Sequence, residues 1–288
     1  MKYYLGIDIG SISVNTVLIN PKREIVEEYY DRIKGEPLRT ARQALGRITS
    51  RYKIEAIAAT GSGGKLLSGY FVNEIVAQAE ATSTLYPAVK TVIEIGGEDS
   101  KLLRLKHGRL IDFSTNTVCA AGTGSFLDQQ ASRLGLKIED FGKLALRSKH
   151  PPRIAGRCTV FAKSDMIHLQ QKGTPGYEIV AGLCRAVARN FVSGVGRGKK
   201  WEKHIAFQGG VAANAGMVRA FEHVLNLEPG ELLIPKHFAS MGAIGAALQM
   251  IKQPSPACAL DSHPLPKGEG SAAFIPLSPW ERGQGGEG

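Results

Sequence analysis

Cysteine is scarce in this chain, four among 288 residues, and none belongs to a CxxC pair or lies beside a histidine-rich tract. A zinc site built by one chain therefore has little support, because its ligands recur in close pairs. No apolar run approaches the ~20 residues of a membrane span. The first ten residues already contain Asp8, and no uninterrupted apolar stretch follows Lys2, so no signal peptide is expected. Unpatterned cysteines without a targeting segment point to a reducing, cytoplasmic compartment. Aromatic residues make up only 7%, and the basic residues behind the net charge of +10 are dispersed without aromatic interleaving, which argues against a nucleic-acid partner. The densest basic stretch, Arg197–His204, reads as a solvated helix end and loop, with docking to an acidic protein as the alternative.

Glycine, by contrast, is abundant at 34 residues, and 43% of the chain is hydrophobic, enough for two modest cores. Small-residue turns around a nucleotide suit this balance better than a large apolar pocket. From about Gln253 the chain turns Pro/Gly-rich without periodicity, so 253–288 is expected to be a disordered tail without a catalytic role.

The folded part alternates strands and helices, which places it in the α/β class. A first meander covers Tyr3–Gly10, Val14–Ile19 and Ile25–Tyr30. A helix near Pro37–Tyr52, a strand Ala56–Thr60 and a helix around Asn73–Thr84 follow. A second meander covers Thr91–Gly97, Ser100–Leu105 and Leu110–Phe113. The echo between Ile7-Asp8-Ile9-Gly10 and Ile93-Glu94-Ile95-Gly96 suggests a duplication in which each turn carries an acid next to glycine. Helices are expected near 124–135, 139–148, 160–172, 176–197, 215–226 and 240–252, with strands at His204–Gln208 and Glu231–Pro235. The domains read as 1–88, completed by helix 240–252, and 89–239.

An acid at a strand end beside a glycine turn can order a Mg²⁺-bound water, while the turn's N–H groups meet phosphate oxygens. Asp8 with Gly10 and Ser11 supplies one such turn, and Gly96-Gly97-Glu98-Asp99 the other; facing each other they would clamp the triphosphate of ATP. Asp99 would orient the attacking water. Gly209 and Gly210, followed by Val211, would let the backbone lie close to the adenosine. Lys101 would compensate the carboxylate of Glu98 near the phosphates. Gly61-Ser62-Gly63-Gly64-Lys65 fails the P-loop pattern, with Ala59 and Leu66 at two defining positions, and reads as a turn near the cleft.

Cys119 and Cys158 each stand at what reads as the entrance to a helix, where unpaired N–H groups and the positive dipole end favour an anionic group. Thiolates are the usual iron–sulfur ligands, and one chain offers only these two. A four-thiolate site then needs two chains around a two-fold axis. The other reading is that both thiols are small core hydrophobes. Cys184 lies on an apolar helical stripe and reads as packing; Cys258 falls in the tail.

On Leu5-Gly6-Ile7-Asp8-Ile9-Gly10-Ser11, Glu94–Lys101, Cys119–Gly124, Gly156–Asp165 and Gln208–Ala212, the chain resembles the activator proteins of 2-hydroxyacyl-CoA dehydratases. These belong to the wider group that contains the ATPase subunits of benzoyl-CoA reductase. The match runs from about Lys2 to Met250, and the two cysteine motifs are its specific part. The resemblance implies an actin-like (acetate and sugar kinase/Hsc70/actin) fold with two duplicated subdomains around a nucleotide cleft. It implies a homodimer with one [4Fe–4S] cluster at its interface, held by Cys119 and Cys158. It also implies ATP hydrolysis that drives an electron into a partner dehydratase or related reductase, with ferredoxin or flavodoxin as donor. Glu98 stands where that family has Gln. A small-molecule kinase of the same fold is the alternative; it would need no cluster.

Overall fold

The computed structural model describes residues 2–67, 70–116, 122–155 and 159–252. Cys119, Cys158 and the tail with Cys258 lie outside them. Two compact units make up the chain: one runs to Pro87 and resumes at Ala239, and the other is Ala88–Phe238.

In the first unit, β1 (Tyr3–Ile9), β2 (Ser13–Ile19), β3 (Ile25–Arg32), β4 (Ile54–Thr60) and β5 (Tyr70–Phe71) form a sheet in the order β3-β2-β1-β4-β5. The β1–β2 and β2–β3 pairs are antiparallel, and β4 runs parallel to β1. β1 is almost continuously apolar because both its faces are covered. Leu5, Ile7 and Ile9 pack with Ala41, Ala44, Leu45 and Ile48 of α1 (Pro37–Thr49). These four recur at helical spacing, and proline at the start of α1 costs no hydrogen bond. The opposite face, with Val17 and Ile19, packs with Met241, Ile244, Ala247 and Leu248 of α8 (Met241–Lys252) and with Ala81 of α2 (Glu74–Leu85). Asn73 starts α2 by accepting a hydrogen bond from Ile75 N at 3.0 Å. β3, at the sheet edge, alternates half-buried and exposed residues instead.

The second unit repeats this plan. β6 (Thr91–Ile95), β7 (Ser100–Lys106), β8 (Arg109–Asn116), β9 (Ile205–Gln208) and β10 (Leu232–Leu233) are ordered β10-β9-β6-β7-β8. Read from the other edge, this is the first sheet's order, with the same antiparallel meander and parallel fourth strand. Helices α3 (Gly124–Arg133), α4 (Ile138–Ala145), α5 (Thr159–Gln171), α6 (Gly176–Ser193) and α7 (Ala215–Val224) belong to this unit. Its core joins Ile93, Phe207 and Phe126 to the buried stripe of α6, including Leu183, Val187 and Phe191. Cys184 is fully buried on that stripe, and burial pushes its thiol up to about 12. The expected helix 176–197 stops at Ser193, where Gly194 and Gly196 replace the helix with tight turns. Among the described residues no helix is long and apolar enough to cross a membrane.

Candidate functional site

Within each unit the strand ends carry the polar groups. In the second, the β6–β7 turn is closed by Gly96 N donating to Asp99 O at 3.0 Å. Glu94 and Lys101 stand opposite each other across β6 and β7, so their side chains share one face. Lys101 Nζ donates to Glu94 Oε2 at 3.1 Å and to Asp99 Oδ2 at 2.7 Å. The Glu94 and Lys101 side chains are each 5% exposed, whereas that of Asp99 is 47% exposed. The ammonium is thus enclosed between a buried carboxylate and an accessible one. An ion so placed holds its charge only while paired. Glu98 is exposed, and Gly96 and Gly97 are half-buried.

Gly209 follows β9 at φ +87° and ψ 168°, a conformation open essentially to glycine. A Cβ there would lie 2.4 Å from Ile95 O and 2.8 Å from Glu94 Oε1. Its N–H donates to Phe238 O at 2.8 Å. Gly210, exposed, opens the single turn of 3₁₀ helix Gly210–Ala213. Val211 is buried, and a Cβ on Gly124 would come within 3.1 Å of its Cγ2. Of the residues expected around the adenosine, Gly209 and Gly210 thus bring backbone to the strand end, while the Val211 side chain packs inward.

The first unit carries the counterpart. Asp8 is buried at the penultimate position of β1, as Glu94 is on β6. It faces Asn15 on β2 and Thr60 on β4, where Glu94 faces Lys101 on β7 and Gln208 on β9. Gly61 follows β4 at φ +83°, and a Cβ on it would lie 2.3 Å from Asp8 Oδ1 and 2.6 Å from Ile9 O. Gly61 is therefore the equivalent of Gly209. On its other side the Asp8 carboxylate borders the first turn of α8, where a Cβ on Gly242 would be 2.2 Å from Oδ2; a helix start favours negative charge. Gly10 N donates to Ser13 O at 2.9 Å. Gly10 and Ser11 line an open recess of about 520 Å³ together with Ile9, Ser62 and Gly63.

Two residues escaped a role in the sequence reading: Glu94 and Gly61. The signal for Glu94 was present, since it occupies the Asp8 position of the repeated strand. Gly61 sits in a loop whose glycine spacing approaches a P-loop, which masks its equivalence to Gly209.

One contact ties the second unit's turn to the segment that follows Cys119. The first N–H groups of α3 dock on the turn, Gly124 N to Gly96 O at 2.9 Å and Ser125 N to Gly97 O at 2.8 Å. Hydrogen bonds that would otherwise be left open at the helix start are thereby satisfied by the glycine turn. Cys119 and Cys158 themselves lie outside the described residues, as stated.

A family model described as the BadF/BadG/BcrA/BcrD ATPase family matches residues 5–249. The (R)-2-hydroxyglutaryl-CoA dehydratase activating ATPase of Acidaminococcus fermentans is 34% identical over 258 residues, 87% of this chain and 98% of that one. The activator of lactoyl-CoA dehydratase of Anaerotignum propionicum is 34% identical over 254 residues, 85% of this chain and 96% of that one. Among solved structures, the activator of the 2-hydroxyisocaproyl-CoA dehydratase from Clostridium difficile with bound ADPNP superposes with a TM-score of 0.78 at 32% identity. That match covers 87% of this chain and 94% of the other. The fold is the actin-like α/β fold that the sequence motifs implied.

Proposed function

The chain belongs to the BadF/BadG/BcrA/BcrD ATPase family, and from that membership we propose that it is an ATP-dependent activator of a 2-hydroxyacyl-CoA dehydratase or a related reductase. Support comes from relatives described as a dehydratase activating ATPase and a dehydratase activator, and from a similar activator solved with bound ADPNP. In this reading Asp8 and Asp99 serve Mg²⁺ and the attacking water, and the turns at Gly10–Ser11 and Gly96–Gly97 border the phosphates, with the Gly10 and Gly96 N–H groups closing the turns themselves. Oxygen donors of this kind suit a hard cation. Gly209 and Gly210 leave room for the nucleoside. Glu94, through Lys101, holds the Asp99 carboxylate in a fixed direction.

A [4Fe–4S] cluster shared by two copies of the chain, when bound, supplies the low-potential electron. Cys119 and Cys158 of each subunit are the thiols that would hold it, a donor set of the right chemistry and number. Val160 and Phe161, at the start of α5 directly after Cys158, are 65% and 66% exposed, which supports a subunit interface on this helix. Ferredoxin or flavodoxin is the proposed donor.

The observation that carries the coupling is the pair of hydrogen bonds from the start of α3 to Gly96 and Gly97. A change in the turn on ATP binding or hydrolysis must move those two carbonyls or break the bonds, and α3 leads back toward Cys119. The test is stopped-flow mixing of the anaerobically purified, reduced protein with a candidate dehydratase. Transfer is expected with ATP and lost with a non-hydrolysable analogue or without nucleotide. Equal transfer in all three mixtures would refute ATP gating.

A further inference from the structure

The Ala88–Phe238 unit carries a cluster of cations remote in sequence from the glycine turns. α6 presents Arg185 and Arg189 one turn apart, and α7 presents Arg219 and His223 at the same spacing. Arg153, in the segment before α5, completes the group. Each is close enough to act electrostatically on its neighbours: Arg219 on Arg185, Arg153 and Arg185 on Arg189, and Arg185, Arg189 and Arg219 on His223. Burial first, and then these arginines, hold the His223 imidazole below its ordinary range.

Among the described residues none of the five forms a salt bridge. Arg189 donates to Ile154 O at 2.7 Å and Arg219 to Leu146 O at 2.9 Å, both neutral acceptors. The carboxylate that acts on the cluster is Glu178, and its oxygens are already engaged. They accept from the Ser148 hydroxyl, from Lys149 N at 3.1 Å and from His150 N at 3.1 Å. Arg185 and Arg189 are half-buried among like charges, with Glu178 acting on Arg185 alone, a cost that a bound anion would lower.

A recess lies beside two of them. It is a small cavity of about 20 Å³ lined by Arg185, Arg219, Ser148, Pro151, Ala181 and Gly216. Glycine is needed at 216, since a Cβ there would stand 2.5 Å from Ala145 Cβ and 3.2 Å from Cys184 Sγ. Gly216 belongs to the first turn of α7, whose positive end adds to the same field. Space for one or two water-sized groups admits a terminal oxyanion but no ring or chain. Two forked donors, Arg185 and Arg219, in one lining match the oxygens of one such group, and their combined charge suits a dianion.

We propose that this recess between α6 and α7 is an oxyanion site for a phosphate group, either the free ion or the terminal phosphate of an ester. The proposal is independent of the nucleotide reading, because none of its residues belongs to the glycine turns.

Calorimetric titration of the full chain, saturated with a non-hydrolysable ATP analogue and at constant chloride, with inorganic phosphate and separately with glycerol 3-phosphate tests it. Saturable binding of one or both is expected, and the tighter of the two identifies the source. Arg185→Gln and Arg219→Gln should each weaken that binding about tenfold or more, as one charge-assisted contact is lost, with ATP hydrolysis retained. Lys203→Gln, on the surface elsewhere, should leave it unchanged. In the unaltered protein the His223 imidazole resonances should shift with the same dissociation constant, a readout that needs no variant to fold. Equal affinity in all proteins, unmoved His223 resonances, or binding of a polyglutamate peptide in place of both phosphates would overturn the proposal.

Discussion

Replacing Gly209 by alanine probes the strand-end geometry most directly. An L-residue held at φ +87° and ψ 168° is strained by ~1–3 kcal/mol. The new methyl would also press on Ile95 O at 2.4 Å and on Glu94 Oε1 at 2.8 Å, and overpacking of this kind adds ~1–3 kcal/mol. Together these give ~2–6 kcal/mol, a large part of the ~5–15 kcal/mol that holds a domain folded. Gly230 provides an internal control, with φ +88° and nothing within 4 Å of an added Cβ. Gly230→Ala therefore carries only the conformational part, ~1–2 kcal/mol. Urea unfolding of both variants, followed by far-ultraviolet circular dichroism, separates the two contributions. Gly209→Ala should unfold at clearly lower urea than Gly230→Ala, and hydrogen exchange should accelerate on β6 and β9. If the two variants match, the close approach of Gly209 to Ile95 and Glu94 is not a constraint and the reasoning fails.

Asp8→Asn and Asp99→Asn should each slow ATP hydrolysis by about a hundredfold with iron content unchanged, measured by phosphate release and iron assay; unaffected turnover in both would remove them from the nucleotide site. Lys101→Met leaves Glu94 buried without its cation, so a loss of ~3–5 kcal/mol is expected on urea unfolding; a neutral result would mean that Glu94 is protonated or solvated. Cys119→Ala or Cys158→Ala should abolish bound iron in the anaerobic protein. Cys184→Ala should keep the iron at a stability cost of ~1 kcal/mol, and iron retained by either of the first two variants would refute the ligand assignment.

Much of this architecture was legible because physical pattern and chain order agreed. The near-continuous apolar run of β1 and its echo in β6 announced two buried central strands, and the 3.6-residue stripe holding Leu183, Cys184 and Val187 announced α6. The two-residue strand β5 left no such mark. It is too short for a period, and backbone pairing with β4 defines it, whereas β10 lies inside the expected Glu231–Pro235 and is cut to the two residues that pair with β9. The acids beside the glycines were also legible, but the partners of Lys101 were not. Its enclosure by Glu94 and Asp99 depends on strand register and turn closure, which spacing alone does not fix. The gathering of Arg153, Arg185, Arg189 and Arg219 was likewise invisible, since it joins two helices and a loop through tertiary packing. A helix repeat read in one segment cannot show which face the next helix will share.

The two sheets share one strand order, and the residue opposite the strand-end acid is where they differ in charge. On β2 that position is Asn15; on β7 it is Lys101. One sheet thus sets its carboxylate opposite an amide. The other answers the charge from within and passes the surplus to Asp99. Both acids sit behind the same positive-φ glycine, Gly61 in one unit and Gly209 in the other. Swapping the opposed residues by Asn15→Lys and Lys101→Asn would ask whether a difference between the halves is written in that one pair.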